Sequence, residues 1–455
     1  MIDSGISAYM QAGRRVHFIG IGGVSMAPLA EALCGSGVFV TGSDMASSDT
    51  TEELKAKGIS VFIGHRAENL GEAECVIRTA AARDDNPEVL EARARGIPIF
   101  ERAQAWGYIM RGYKNAVCIA GTHGKTSTTS MATHILLAAG LDPTVMIGGT
   151  LAKLQAGHRV GGGDTIVLES CEYYNSFHNF FPTIAVILNV EEDHLDYFKN
   201  LEEIQDSFRK FADLVPADGA IVVNGDDKNA MDALRPLNRP LLTFGLGEGN
   251  RVRAKNIVHR DDQSSFDVFF DGVLYTHIAL RVPGNHNVQN ALAAIAVAIF
   301  LELPPQVAAE GLADFTGAGR RFEYKGELNG AKVYDDYAHH PSELKALLDA
   351  TAELSYSRVI LAFQPHTYTR TKALFDDFVR ELSRADVVLL AEIYAAREQN
   401  TVGVSAKDLA ARIPGAKYCD GFQDIAQTIR EIARPGDIVF TVGAGDIFRV
   451  GEMLV

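Results

Sequence analysis

The amino-acid sequence predicts an α/β protein of three domains with mostly parallel sheets. Three observations carry the prediction. Apolar β-rich runs alternate with helical patterns along almost the whole chain, as α/β layering requires. A strand, a Gly-rich turn and a helix start afresh at separate places. And 455 residues are too many for one hydrophobic core, which suggests roughly three domains.

The first start is VHFIGIGGVSMAPLAEALCGSG. The second is NAVCIAGTHGKTSTTSMATHILLAAG, after the polar stretch RGYKN. The third follows FTGAGRRFEYKGELNG, where KVYDDYAHHPSELKALLDA begins and VILAF, VVLLAEIY and DIVFTVGAG read as strands separated by helices. Boundaries are expected near residues 110 and 317, giving segments 1–110, 111–317 and 318–455. The chain shows no internal repeat and no low-complexity tract.

Hydrophobic residues make up 47% and charged residues 22%, an ordinary globular balance that argues against disorder. The net charge is -15 and no Lys/Arg-rich run occurs, which disfavours nucleic acid as a partner. Anionic ligands must then be held by local backbone N–H groups and a few placed cations. Five scattered cysteines (Cys34, Cys75, Cys118, Cys171, Cys419) form no C-x-x-C pair, the pattern of reduced cytosolic thiols. The start MIDSGISAYMQAGRR lacks the apolar core of a signal peptide, and the apolar run 291–301 is too short to span a bilayer. The expectation is a soluble cytoplasmic protein with small-molecule partners and no membrane partner, monomeric or weakly dimeric.

The strongest chemical signal is Gly121-Thr122-His123-Gly124-Lys125-Thr126, between the strand AVCIA and a helix. Backbone N–H groups at such a turn, with the helix N-terminus, cradle phosphates. Lys125 can reach the β and γ phosphates, and the Thr126 hydroxyl can bind Mg²⁺. Ile119 stands where the common P-loop has its first glycine, so the loop is a shorter variant. The bland alternative is an ordinary strand-to-helix turn with a surface lysine.

LESCEYYNSF (168–177) and AVILNVEEDHLDYF (185–198) place carboxylates and a histidine at the ends of expected parallel strands, where α/β ligand sites lie. Glu172 and His194 are the candidate metal ligands, with Glu169, Asp193 and Asp196 behind them, because hard oxygens with an occasional imidazole suit Mg²⁺. Singly, each reads more simply as a helix-capping acid. GIGGVS (20–25) begins like a dinucleotide fingerprint, but Ser25 occupies the third glycine position. Asp44, ending VFVTGSD, sits where a ribose-binding acid would lie. Nucleotide, nucleotide-sugar diphosphate, or plain close packing remain alternatives.

In PGNHNVQNALAAIAVA, His286, Asn287 and Asn290 can face a base, or Asn287 can simply cap its helix. Arg320 and Arg321 lie where a cation could close onto phosphates. DDYAHHP, QPHTYTRT and VGAGDIF each follow an expected strand; Arg370 can hold a carboxylate bidentately, while His339, His340 and His366 are singly more often structural.

The order of these motifs, with GNHNVQNALAA and GRRFE among them, resembles the Mur ligases over essentially the whole chain. The resemblance implies a Rossmann-like N-terminal domain for a UDP moiety, a central P-loop-type ATPase domain and a Rossmann-like C-terminal domain that closes over an amino acid. It implies ATP and Mg²⁺ as cofactors, and ATP-dependent joining of L-alanine to UDP-N-acetylmuramate through an acyl phosphate, in peptidoglycan synthesis. Carried over by motif, Gly121, Thr122, His123, Gly124, Lys125, Thr126 and Ser127 contact ATP. Asn287 and Asn290 lie at the adenine, with Arg321 and Asp336 near the nucleotide. Thr126, Glu172 and His194 bind magnesium. Gly20, Gly22, Gly23, Val24, Ser25, Ser43, Asp44 and Arg102 take the UDP substrate. Lys125, His339 and Arg370 serve the chemistry. Many members read E-A-D-E-S-D where this chain has Glu169-Ser-Cys-Glu-Tyr-Tyr174, so Cys171 and Tyr174 replace acids; many read P-H-R where it has Pro365-His366-Thr367. The rival readings are a related ligase that attaches a peptide, a NAD-dependent oxidoreductase, and a nucleotide-binding regulator without catalysis.

Overall fold

The computed structural model describes residues 5–195, 197–260, 262–396 and 398–455. Among the described residues the strands form three sheets, in line with the three expected starts. The first sheet orders Ser60–Ile63, Phe39–Asp44, Arg15–Ile19, Cys75–Arg78 and Ile99–Glu101 side by side, all parallel. With respect to the chain this is the order 3-2-1-4-5, so the connection reverses beside the strand that feeds GIGG, the place where doubly wound sheets bind ligands.

The second sheet has Asn115–Ala120 at its heart, between Ile184–Ile187 and Thr165–Glu169. The interiors of these strands are apolar because helices cover both faces of a parallel sheet. The helix Asn285–Phe300 is buried on nearly every side, as expected of a helix that is hydrophobic all round. The sheet departs from parallel at its rims: Gln263–Phe270 and Val273–Leu280 extend one edge as an antiparallel meander, and Ala156–Arg159 closes the other. The third sheet places Ile438–Val442 between Ala331–Asp336 and Val359–Phe363, all parallel, with Glu323–Leu328 antiparallel at an edge.

The helix Arg102–Met110 joins the first sheet to the second. Trp106 is fully buried, and one continuous core runs from Phe18 and Trp106 to Phe177, Phe208 and Phe211. A side chain on Gly107 would collide with the Asn179 carbonyl, so close helix approach requires glycine there. Arg111 lies over the Phe181 ring, 3.9 Å from its centroid. Among the described residues no helix is long and apolar enough to cross a membrane.

Candidate active site

Three strand ends build the centre of the site. Ile119 is in register with Glu169, and Ala120 with Ile187. The loops that leave these strands therefore share one rim, which gathers the glycine-rich loop, Glu172 and His194.

The loop turns through Gly121 at φ 148° and Gly124 at φ 82°. A Cβ on Gly124 would sit 2.6 Å from the Asn290 amide oxygen, so glycine lets the loop press against the Asn285–Phe300 helix. Asn189 fastens the other side. Its side chain accepts from the His123 N–H at 2.7 Å and donates to the His123 carbonyl at 3.1 Å, and its carbonyl accepts from the Thr122 N–H. The helix Lys125–Ala138 starts directly after Gly124, with first-turn N–H groups that have no intrahelical partner.

Lys125 folds back over this loop. Its Nζ donates to the Gly121 carbonyl at 2.5 Å and the Thr122 carbonyl at 3.1 Å, and lies 3.3 Å from Glu172 Oε2. Burial alone would lower its pKa, but the charges of Glu172, Cys171 and Glu169 outweigh burial and raise it. The ammonium is a fixed charge.

Beside it, the Thr126 hydroxyl donates to both Glu169 oxygens at 3.1 Å, and Glu169 also accepts the Gly148 N–H at 2.6 Å. His194 Nε2 is 3.7 Å from Glu172 Oε1, and Tyr173 stacks on its ring at 4.3 Å. A hydroxyl, carboxylates and one imidazole facing a phosphate cradle form a donor set that suits Mg²⁺ shared with phosphates. Glu169 and Glu172 both belong to it by position. Asp196, a further candidate, lies outside the described residues.

The third sheet closes this rim from the other side. His123 lies between two carboxylates, 3.1 Å from Glu343 and 3.4 Å from Glu191, and its ring is 4.8 Å from that of His340. Ser342 donates to Glu191 at 2.5 Å. Burial would lower the His123 pKa, but Glu343 and Glu191 outweigh burial and raise it to about 10, while Glu191 is held down at about 2. The folded value of His123 exceeds its ordinary 6.5, so its stabilisation is complete below 6.5 and fades as pH rises through the folded value. His123→Gln is accordingly expected to melt below wild type in mildly acidic buffer. The gap should close toward pH 10 in paired thermal scans; a gap that does not change with pH would refute the imidazolium.

Arg370 does not stand free for a carboxylate. Its Nε and Nη2 converge on Asp193 Oδ1 at 3.0 and 2.7 Å. Despite burial, the charge of Arg370 and its hydrogen bonds keep Asp193 far below the usual carboxylate range. His339 donates from Nδ1 to the Tyr337 carbonyl at 2.9 Å, and burial pulls it down to about 4. Burial, with His339 and Arg370 nearby, brings His366 to about 3. Both are neutral imidazoles beside a guanidinium.

A cavity of about 220 Å³ opens next to the loop, lined among others by Gly124, Ser127, Asn287, Asn290, Arg321 and Asp336. Asn287 does not cap its helix, whose N-cap is Gly284; its amide donates to the Pro283 carbonyl at 2.8 Å. His286 beside the cavity is half-buried, and desolvation pulls it down to about 4. Burial pushes Asp336 up to about 6 against the pull of Arg321 and of the Phe322 and Ala338 N–H groups. A second cavity of about 590 Å³ meets Thr126, Gly148, Arg321 and Tyr337. Arg320, expected beside Arg321 as a phosphate cation, is engaged elsewhere. It donates to Asp335 at 2.9 Å and to the Gly443 and Gly445 carbonyls, while Arg321 lies over Tyr337, 4.5 Å from the ring centroid.

In the first sheet, Gly20 turns at φ 80°, where a Cβ would meet Thr79 at 2.6 Å, and the Gly22 N–H donates to Asp44 at 2.9 Å. Gly23 donates back to the Gly20 carbonyl at 3.2 Å. Val24 is 59% exposed, and Arg102 donates to the Ser25 hydroxyl at 2.5 Å. Ser43 faces inward: its hydroxyl is buried and donates to Glu88 at 2.6 Å, so only its backbone borders the loop.

Glu191, Glu343 and Asn189 were not singled out from the sequence. Glu343 carried one readable sign, the fourth position of H-P-S-E, which forms a capping box. Left-handed non-glycine residues also crowd here: Tyr174, Asn175, His194, Arg320, Phe322 and Thr367. Such strain gathers at functional sites.

Family models match in three blocks: "Mur ligase family, catalytic domain" over residues 15–114, "Mur ligase middle domain" over 119–298, and "Mur ligase, glutamate ligase domain" over 320–445. The UDP-N-acetylmuramate–L-alanine ligase of Clostridium novyi is 47% identical over 446 residues, 97% of each chain. The enzyme of the same name from Caldanaerobacter subterraneus subsp. tengcongensis is 46% identical over 444 residues, 96% of each. The crystal structure of the UDP-N-acetylmuramate-alanine ligase of Thermotoga maritima superposes with TM-score 0.81 at 29% identity, covering 97% of this chain and 98% of that one.

Proposed function

The chain belongs to the Mur ligase family, and on that premise we infer its reaction: ATP-dependent joining of L-alanine to UDP-N-acetylmuramate, releasing ADP and phosphate, in peptidoglycan precursor synthesis. The observation that carries the reading is Lys125, a permanent cation seated on its own glycine-rich loop beside Glu172, where three strand ends meet. An oxidoreductase has no use for that arrangement.

Segment 1–110 takes the UDP end of the donor at the Gly20–Ser25 turn, segment 111–317 takes ATP, and segment 318–455 closes with the amino acid. The adenosine enters the cavity at Asn290, and the phosphates lie along residues 121–127, where backbone N–H groups face them. Thr126, Glu172 and His194 would hold Mg²⁺, which would supply charge neutralisation at the transferring phosphoryl group. The lactyl carboxylate attacks the γ-phosphorus in line, the bond to ADP breaks, and Lys125 balances the charge that builds on the phosphoryl oxygens. The neutral amine of alanine then attacks the acyl carbonyl and phosphate leaves. We assign the amine proton to His339; in support, its Nδ1–H is committed to Tyr337, which leaves Nε2 as an acceptor. Because an acyl phosphate hydrolyses readily, the cleft must exclude water during these steps.

Phosphate release from ATP, with the donor and L-alanine supplied separately and together, tests the reading. Release is expected only when both are present. Turnover with a peptide in place of alanine would keep the mechanism and change the acceptor; no ATP turnover under any combination would end the ligase reading.

A further inference from the structure

Tyr174 is held in a conformation its side chain disfavours. Both Tyr174 (φ 54°, ψ 24°) and Asn175 (φ 54°, ψ 30°) are left-handed inside the segment Tyr173–Asn179. For a bulky residue this is an outlier with an energetic cost, retained only where the surroundings impose it. Here they do. Ser207 donates to the Asn175 amide oxygen, and the Asn175 amide donates to the Tyr197 hydroxyl at 2.8 Å. Tyr173 and Tyr197 brace the Tyr174 ring at centroid distances of 4.4 and 4.7 Å. Yet Tyr174 is 56% exposed. The scaffold spends its constraints on displaying an aromatic face to solvent.

The place of that face is informative. Tyr174 follows Glu172, the partner of Lys125, by two residues. The helix Arg102–Met110 packs along the same segment, with Gly107 against Asn179. At its start Arg102 reaches Ser25 of the N-terminal turn, and its charge bears on Cys171. Resting on the ligase reading above, the donor's diphosphate lies at that turn and its lactyl carboxylate at Lys125. The pyranose lies between these two anchors, and Tyr174, two residues past Glu172, is displayed at the second of them. Pyranose rings present a face of C–H groups, which complements the negative face of an aromatic ring. We propose that Tyr174 is the stacking platform for the sugar ring of the donor, with Tyr173 and Tyr197 as its buttress.

Titration calorimetry without ATP tests this, using UDP-N-acetylmuramate and UDP as separate ligands. Tyr174→Ala should weaken UDP-N-acetylmuramate roughly tenfold and leave UDP, which has no sugar ring beyond its ribose, within about twofold of wild type. Tyr174→Phe keeps the face and should bind as wild type does. Tyr174→Gly removes the left-handed strain, so it should melt no lower than wild type while binding the donor as weakly as the alanine variant. Unchanged donor binding in the alanine variant overturns the proposal, as does an equal loss of UDP. Wild type that binds UDP but not UDP-N-acetylmuramate would overturn the ligase reading, and this proposal with it.

Discussion

Lys125→Ala is expected to lower phosphate release by about a thousandfold. The ammonium donates to the Gly121 and Thr122 carbonyls and faces Glu172, a side chain only 4% exposed. In the free enzyme these groups hold it in place; on the proposed reading, ATP in the cradle would bring its β and γ phosphates to the same position. Lysine acts here as a compact charge within a tight loop, so Lys125→Arg should not rescue, because the planar guanidinium cannot satisfy two carbonyls from one point. The change also leaves Glu172 unpaired. Donor binding, measured without ATP, should stay within about twofold and separates lost chemistry from a damaged fold. A variant retaining a tenth of wild-type turnover would remove Lys125 from the chemistry.

Arg370→Met is the second large effect. Methionine keeps much of the side-chain volume but removes the partner of Asp193, and the two side chains are 10% and 9% exposed. Breaking a buried pair from one side costs about 3–5 kcal/mol, because the remaining charge stays buried. The variant should therefore unfold at lower denaturant and fail with alanine. Adding Asp193→Asn should return most of the stability, since an amide tolerates burial that a lone carboxylate does not. It should not return activity if Arg370 also anchors the carboxylate of alanine. The gap between Asp193, His194, Thr367 and Arg370 is only about 20 Å³, so the pair must part before an amino acid enters. A Michaelis constant for alanine unaltered in Arg370→Met would show that the arginine serves the interface alone.

The phosphate loop was legible because its chemistry is local. Glycines at 121 and 124, a lysine and a threonine in consecutive positions between a strand and a helix specify a turn, a cradle and a cation without reference to the rest of the chain. The meeting of Glu172 and His194 at one rim was legible for a related reason, since parallel strands deliver their C-terminal ends to one edge. The Ser43 hydroxyl turns to Glu88 while its neighbour Asp44 faces the Gly20–Ser25 turn, because successive strand residues point to opposite faces. Arg320 and Arg321 are likewise adjacent, and only the fold decides that one is consumed by Asp335 and two carbonyls while the other lines the cavity.

By itself the sequence determined the three α/β units, the nucleotide loop and the acidic strand ends, all products of short-range patterning in a period of two or 3.6 residues. Tertiary structure alone decided the pairs that cross the cleft: His123 with Glu343, Glu191 with Ser342, and Asp193 with Arg370. These partners come from different sheets, and such pairing follows from how sheets are set against one another, which no local pattern records. The same holds for the display of Tyr174. Its left-handed backbone is held by Tyr197 against its ring and by Asn175, which Ser207 and Tyr197 fasten, and such strain exists only once the fold has closed around it.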